Sequence, residues 1–196
     1  MDCVCITLDP RSADRAQVAR RELVSLGVFR SVSFVAGVDV RDSSPQSAEL
    51  KHLIAPRARH ELEYGRYVHE ALSSMGAVGC YLAHLGAWRR CGERNEPLAV
   101  AEDDFRAAPD APTAIRGALA EARRLGGYDI LRLSARFVDK IQSPEWNFRP
   151  LPHSTLLVEC LRPINLSLYI LTPSAARILL DHALPMDMQV DYYMGT

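Results

Sequence analysis

Leu98-Ala99-Val100-Ala101-Glu102-Asp103-Asp104-Phe105 is a short apolar run that ends in three consecutive carboxylates. Asn95-Glu96-Pro97 precedes it and Ala107-Ala108-Pro109-Asp110 follows it. An apolar run of this length between turn signals reads as a buried strand. The three acids then stand at the C-terminal end of that strand, where open α/β sheets place their ligands. Adjacent carboxylates repel one another unless a cation or a set of donors compensates. Hard divalent cations such as magnesium and manganese take oxygen ligands and often keep a nucleotide phosphate in their shell. One reading is a metal–diphosphate site. The other is a solvated acidic loop or helix cap that leads into the next element.

Working outward, the 196 residues suit one domain (1–196) with a core that needs no staples. The hydrophobic fraction of 48% and the charged fraction of 24% belong to a globular class. A net charge of −1 argues against a nucleic-acid surface as the main function. All but two of the 23 basic residues, Lys51 and Lys140, are arginine. No apolar run approaches a membrane span, and no basic segment followed by an apolar one marks a signal peptide. The expected location is cytoplasmic, at most peripheral to a membrane. Cys3, Cys5, Cys80, Cys91 and Cys160 are odd in number and lack CxxC spacing, so they read as free thiols in a reducing compartment.

Toward the N-terminus, Cys3 to Leu8 reads as a strand and Asp9-Pro10-Arg11-Ser12 as a turn with an N-cap. A helix follows with Ala16, Ala19, Leu23 and Leu26 on one face, closed by Gly27. Ser31 to Ala36 is a second strand, so the chain opens β–α–β, as nucleotide-binding α/β layers do. Neither GxGxxG nor GxxxxGK[ST] is present, which weakens a dinucleotide or P-loop reading. Residues Arg41 to Gly76 read as long loops and short helices, with Ala55-Pro56 as a break. Ala77 to Cys91 is a helix whose stripe is Val78, Tyr81, Leu82, Leu85 and Trp88. His84 stands one position off that stripe, where a half-buried side chain is the plain expectation.

Beyond the acidic strand, Ala111 to Leu125 reads as an amphipathic helix stopped by Gly126-Gly127, and Tyr128 to Leu133 as a strand. Ser134 to Pro152, with Phe137, Trp146 and Phe148, reads as a loop. Thr155 to Leu161 and Asn165 to Leu171 read as further strands. Thr172-Pro173 is an N-cap with proline at the first helical position, and its helix runs to Ala183. The tail Met186 to Met194 is expected to be helical, with Asp187 and Asp191 on one face. The chain is expected to stop short of a natural end.

These segments together resemble glycosyltransferase family 25, which includes lipooligosaccharide and procollagen galactosyltransferases. Ile6-Thr7-Leu8-Asp9 with Arg11 and Arg15 is similar to the family's opening strand and arginine-bearing turn. Phe34 to Asp39 is similar to its second strand. Gly76 to Trp88, with Gly79-Cys80 and His84, resembles its most recognisable segment and precedes Glu102-Asp103-Asp104 at the expected distance. Leu168 to Leu171 and Leu184-Pro185-Met186-Asp187 resemble its closing part. Thr7 stands where the family usually has Asn, Ala83 where it has Ser before the His, and Ala101 interrupts the aliphatic approach to the acids.

The resemblance implies a GT-A-like three-layer α/β sandwich with a mixed, mostly parallel central sheet. It implies a metal-dependent galactosyltransferase with manganese or magnesium and a UDP-sugar donor, inverting at the anomeric carbon. A glycan, such as a lipopolysaccharide or viral sugar, or a protein hydroxyl is the acceptor. Asp104 is then the main metal ligand, with Glu102 on the ribose, the metal or its water, and Asp103 in either role. Thr7, Leu8, Arg11, Arg15, Asp39, Gly79, Cys80 and His84 are donor-site residues. Inversion needs a carboxylate base, for which Asp187 is the first candidate and Asp191 the second; helix-capping acids are the structural alternative. Two competing functions remain. One is an inactive nucleotide-sugar-binding module of the same fold. The other is a magnesium-dependent phosphotransferase or hydrolase, for which Asp103-Asp104-Phe105 offers no nucleophile.

Overall fold

The computed structural model describes residues 1–8, 13–65, 70–133, 148–150, 157–160 and 165–195. The acidic strand is β3 (Leu98–Glu102), and it occupies the centre of a five-stranded sheet. On one side it pairs in parallel with β1 (Asp2–Thr7), which pairs in parallel with β2 (Val32–Ala36). On the other side β7 (Leu168–Leu171) runs antiparallel to β3 and also to β4 (Ile130–Arg132). The order is β2-β1-β3-β7-β4, a mixed sheet in which only β7 is reversed. Since β7 is reversed, its N-terminal end lies beside the C-terminal ends of the other four strands.

Strand alternation sends side chains to two separate cores. Cys3, Cys5, Ala99, Ala101, Leu168 and Ile170 face α1 (Ala13–Ser25) and α4 (Ala111–Arg124), meeting Leu23, Leu26, Ile115 and Leu119. Val4, Leu98, Val100, Tyr169 and Leu171 face α3 (Met75–Gly92) and α5 (Pro173–His182). Helices on both faces of the sheet make three layers, compatible with a GT-A-like sandwich. α3 buries Val78, Tyr81, Leu85 and Trp88 against the sheet, and burying each such side chain is worth about 1.5–3 kcal/mol. Ser74 caps α3 by accepting the Ala77 N–H, and Thr172 caps α5 by accepting from Ala175, with Pro173 following at the first helical position.

Four expectations change. Ala55-Pro56 is not a break: proline opens the nine-residue helix α2 (Pro56–Tyr64), since its missing N–H costs nothing in a first turn. The tail is not one helix. Met186 forms a bridge to Ile54, and only Val190–Tyr193 (α6) is helical. Asp187 therefore precedes the helix and shares no helical face with Asp191. Phe148 lies in β5 (Phe148–Pro150), which pairs with β6 (Val158–Cys160) in a two-stranded ribbon, not in a loop. His84 is fully buried rather than half-buried. Phe137 and Trp146 lie outside the described residues. No helix among the described residues is long and apolar enough to cross a membrane.

Candidate functional site

β3 stops at Glu102 because the chain turns there: the Phe105 N–H donates to the Glu102 carbonyl at 3.1 Å. The turn opens onto a cleft of about 340 Å³ at the C-terminal ends of β1, β2 and β3. Its floor is Glu102, Asp103 and Asp104, with Thr7 and Leu8 from the end of β1. Its walls are Arg15 of α1, the loop Gly37-Val38-Asp39 with Arg41, and Gly76, Gly79, Cys80 and Ala83 of α3. Those four α3 positions recur at helical spacing, so one stripe of small side chains lines the cleft while the larger stripe packs on the sheet.

The three carboxylates differ in what holds them. Asp103 is buried and both its oxygens are taken: Thr7 Oγ1 donates to Oδ2 at 2.8 Å, and Arg15 pairs with Oδ1 at 2.5 Å. It ties β1 and α1 to the end of β3. Among the described residues Glu102 uses one oxygen only. Its Oε1 is 3.3 Å from His84 Nε2 and accepts the Cys80 thiol at 3.7 Å. Burial pushes the Glu102 carboxyl up, but hydrogen bonding to His84, then to Cys80, together with the positive charge around it outweighs burial, so the net shift is downward. The Glu102 carboxylate thus stays ionised at neutral pH. Asp104 is exposed on the turn and has no partner among the described residues. Among the described residues, two sets of carboxylate oxygens therefore remain available to a ligand, those of Asp104 and the Oε2 of Glu102.

The other cleft residues are fixed by close packing. Gly79 of α3 sits so near the loop after β2 that a Cβ would stand 2.1 Å from the Val38 carbonyl oxygen. Only glycine allows the helix to meet that backbone. Asp39 is clamped by Arg41, whose Nε and Nη2 reach Oδ1 and Oδ2 at 2.8 and 2.7 Å. Burial pushes the Cys80 thiol up to about 12, with the Glu102 charge adding to the effect, so it is a neutral donor.

The structure brings together Thr7, Leu8, Arg15, Asp39, Gly79, Cys80, Glu102, Asp103 and Asp104 in one cleft. His84 stands behind it, reaching it through Glu102. Arg11 lies outside the described residues. Neither Asp187 nor Asp191 lines the cleft. Asp191 is near enough for its charge to act on the Cys80 thiol, and its Oδ2 accepts the Asn165 N–H at 3.2 Å. Asn165 adopts a left-handed φ of 80°, held by its side chain on Ser167 and by Arg132 on its carbonyl. Asp187 is exposed and its charge acts instead on Tyr81 and Tyr193. Sequence reading missed Arg41, Trp88 as a polar partner, and Tyr169. A histidine inside an apolar helix, which needs a buried partner, was the available signal for the last two.

Comparison with known proteins agrees with this architecture. The family model described as glycosyltransferase family 25 (LPS biosynthesis protein) matches residues 6–194. A curated "Glycosyltransferase 25 family member" of Anopheles gambiae is 38% identical over 69 residues, covering 35% of this chain and 12% of that protein. Another of the same name from Aedes aegypti is 35% identical over 69 residues, covering 35% of this chain and 11% of its own length. The chain thus spans a small part of these curated relatives. With the family model matching nearly end to end over an α/β sandwich and its acidic cleft, the chain belongs to glycosyltransferase family 25.

Proposed function

We propose that the protein is a metal-dependent glycosyltransferase that moves a hexose, galactose, from a UDP-sugar to a hydroxyl of a glycan or protein acceptor. The observation that carries this reading is the surplus of carboxylate oxygen, on Asp104 and Glu102, left unengaged among the described residues at the strand-end cleft. The donor chemistry fits a hard cation such as manganese or magnesium, which takes carboxylate oxygens. Asp104 and Glu102 would hold it. When bound, the ion supplies charge neutralisation to the diphosphate leaving group.

The chain's own residues do the rest. Arg15 and Arg41 line the walls with guanidinium groups suited to phosphate or carboxylate forks. The small stripe of α3 leaves room for the donor, and Thr7, Leu8 and Asp39 supply its nucleoside side. An inverting transfer needs a carboxylate that takes the acceptor hydroxyl proton as the oxygen attacks the anomeric carbon and UDP departs. Asp191 is favoured over Asp187 because its charge reaches Cys80 on the cleft wall. A second reading, donor binding without transfer, is favoured by one observation: neither acid lines the cleft.

Calorimetric titration of a panel of UDP-sugars, with and without manganese, on wild type and Asp104→Ala tests the proposal. Manganese-dependent binding of one UDP-sugar, lost in the variant, is expected. No binding of any UDP-sugar to folded protein overturns it. Binding with no transfer to any hydroxyl acceptor selects the second reading.

A further inference from the structure

Trp88, Tyr169 and His84 form a buried chain behind the cleft, all inaccessible to solvent. Trp88 Nε1 lies 2.9 Å from the Tyr169 hydroxyl, and that hydroxyl lies 2.9 Å from His84 Nδ1. An indole N–H can only donate, so the Tyr169 oxygen accepts from Trp88. The phenol has one proton to give, and among the described residues His84 Nδ1 is its remaining partner. A neutral imidazole that accepts at Nδ1 carries its proton on Nε2. That nitrogen faces Glu102 Oε1. The other oxygen, Oε2, has no partner among the described residues and is not a buried atom, so it is open to the cleft.

We propose that Trp88 and Tyr169 are positioning residues: they fix His84 as the neutral Nε2–H tautomer, which holds Glu102 by one oxygen and presents the other to the ligand. The identity of that ligand, a UDP diphosphate with its divalent ion, rests on the function proposed above. The order of the protons does not.

The same atoms invite a rival. Ligand atoms of Cys80, His84 and Glu102 lie within 4.8 Å of one another, as in a site for a soft metal such as zinc. A metal on Nε2 moves the imidazole proton to Nδ1. Tyr169 then accepts from both Trp88 and His84, and its own proton is stranded in a dry interior, which is costly. The hydrogen-bond order therefore makes Cys80 and His84 donors to a carboxylate rather than metal ligands.

Two readouts test this. In protein labelled with 15N-histidine, the His84 ring is assigned by its disappearance in His84→Gln. It is expected to show a protonated Nε2 and an unprotonated Nδ1, and Tyr169→Phe is expected to alter the Nδ1 signal or mix the tautomers. A protonated Nδ1 in wild type, or stoichiometric zinc bound through Nε2, overturns the relay. The second readout is the affinity for UDP in manganese. His84→Leu is expected to weaken it at least about tenfold, and His84→Gln, whose amide donates from nearly the same place, to stay within about threefold of wild type. Equal affinity in wild type and His84→Leu overturns the positioning role. Failure of UDP to bind wild type overturns the ligand half together with the donor reading, and the 15N spectrum then tells that failure from a failure of the relay.

Discussion

The two ends of the sheet both carry clustered charge, but they are balanced differently. At the N-terminal ends of β1 and β3, Asp2 and Glu96 meet Arg30 and Arg94. Arg30 reaches Asp2 at 2.9 Å and also pairs with Glu96, while Arg94 reaches Asp2 at 2.5 Å and Glu96 at 2.9 Å. Two acids face two guanidinium groups. At the C-terminal ends, the cleft gathers Asp39, Glu102, Asp103 and Asp104 against Arg15 and Arg41 among the described residues. Asp39 and Asp103 take both of those cations. What remains is a pair of acids held together by the fold with no cation of its own among the described residues. A closed network is a structural staple, whereas an open one stores repulsion that a bound cation relieves.

The sharpest way to break this contrast is to remove the surplus. The double variant Glu102→Gln with Asp104→Asn is expected to lose more than about 100-fold in manganese-dependent UDP affinity, beyond what outer-sphere changes cost. Its thermal midpoint is expected to hold or rise, because like charges no longer oppose each other. A fall in midpoint with affinity intact would make the acids structural. Next in size, Gly79→Ala forces a Cβ against the Val38 carbonyl and is expected to destabilise the protein by about 1–3 kcal/mol. Chemical denaturation reads the loss, and UDP affinity falls with it as the Val38–Asp39 wall shifts.

The smallest effect sharpens the balanced end. Hydrogen bonds from Arg30 and Ser31, opposed by burial, and a further one from Arg94 hold Asp2 below its ordinary value of 3.8. A carboxylate lowered in the folded state stabilises above its unfolded value, and that contribution fades as pH falls through the folded one. The facing charges are Arg30, Arg94 and Glu96. Asp2→Asn is expected to lower the thermal midpoint by a few degrees at neutral pH, and the gap to wild type is expected to start narrowing near about pH 4 and to close only well below it, as pH falls through the folded value. UDP affinity is expected to be unchanged, since the cluster lies at the opposite end of the sheet.

Most of the layer structure was legible because its signals are local. Alternation in Cys3–Cys5, the 3.6-residue stripe from Val78 to Trp88, and Thr172-Pro173 each act within a few residues. The acid triplet at a strand end was legible for the same reason. α2 was not: it buries only Ala58 and Glu61 along its length, so no apolar stripe announces it, and Pro56 opens it rather than ending anything. The placement of β7 between β3 and β4 was not legible either, since strand pairing across distant sequence leaves no local mark. Tyr169 lies 85 residues from its partner His84. The unequal roles of Glu102, Asp103 and Asp104 also depend on such partners, Thr7 and Arg15 on one side and His84 and Cys80 on the other.

The reversed strand β7 also sets an order of events in synthesis. β1, β2 and β3 can pair with one another once residue 102 has emerged. The far edge of β3 then waits, with its backbone donors and acceptors open, until Leu168–Leu171 arrives from beyond the whole of residues 103–167. An apolar strand with an open edge is a template for stray pairing with other nascent chains. The strand that carries the acids thus keeps one edge open while all of residues 103–167 are made, and Tyr169, which arrives with its second neighbour, completes the wall behind Glu102 and closes the edge in one step.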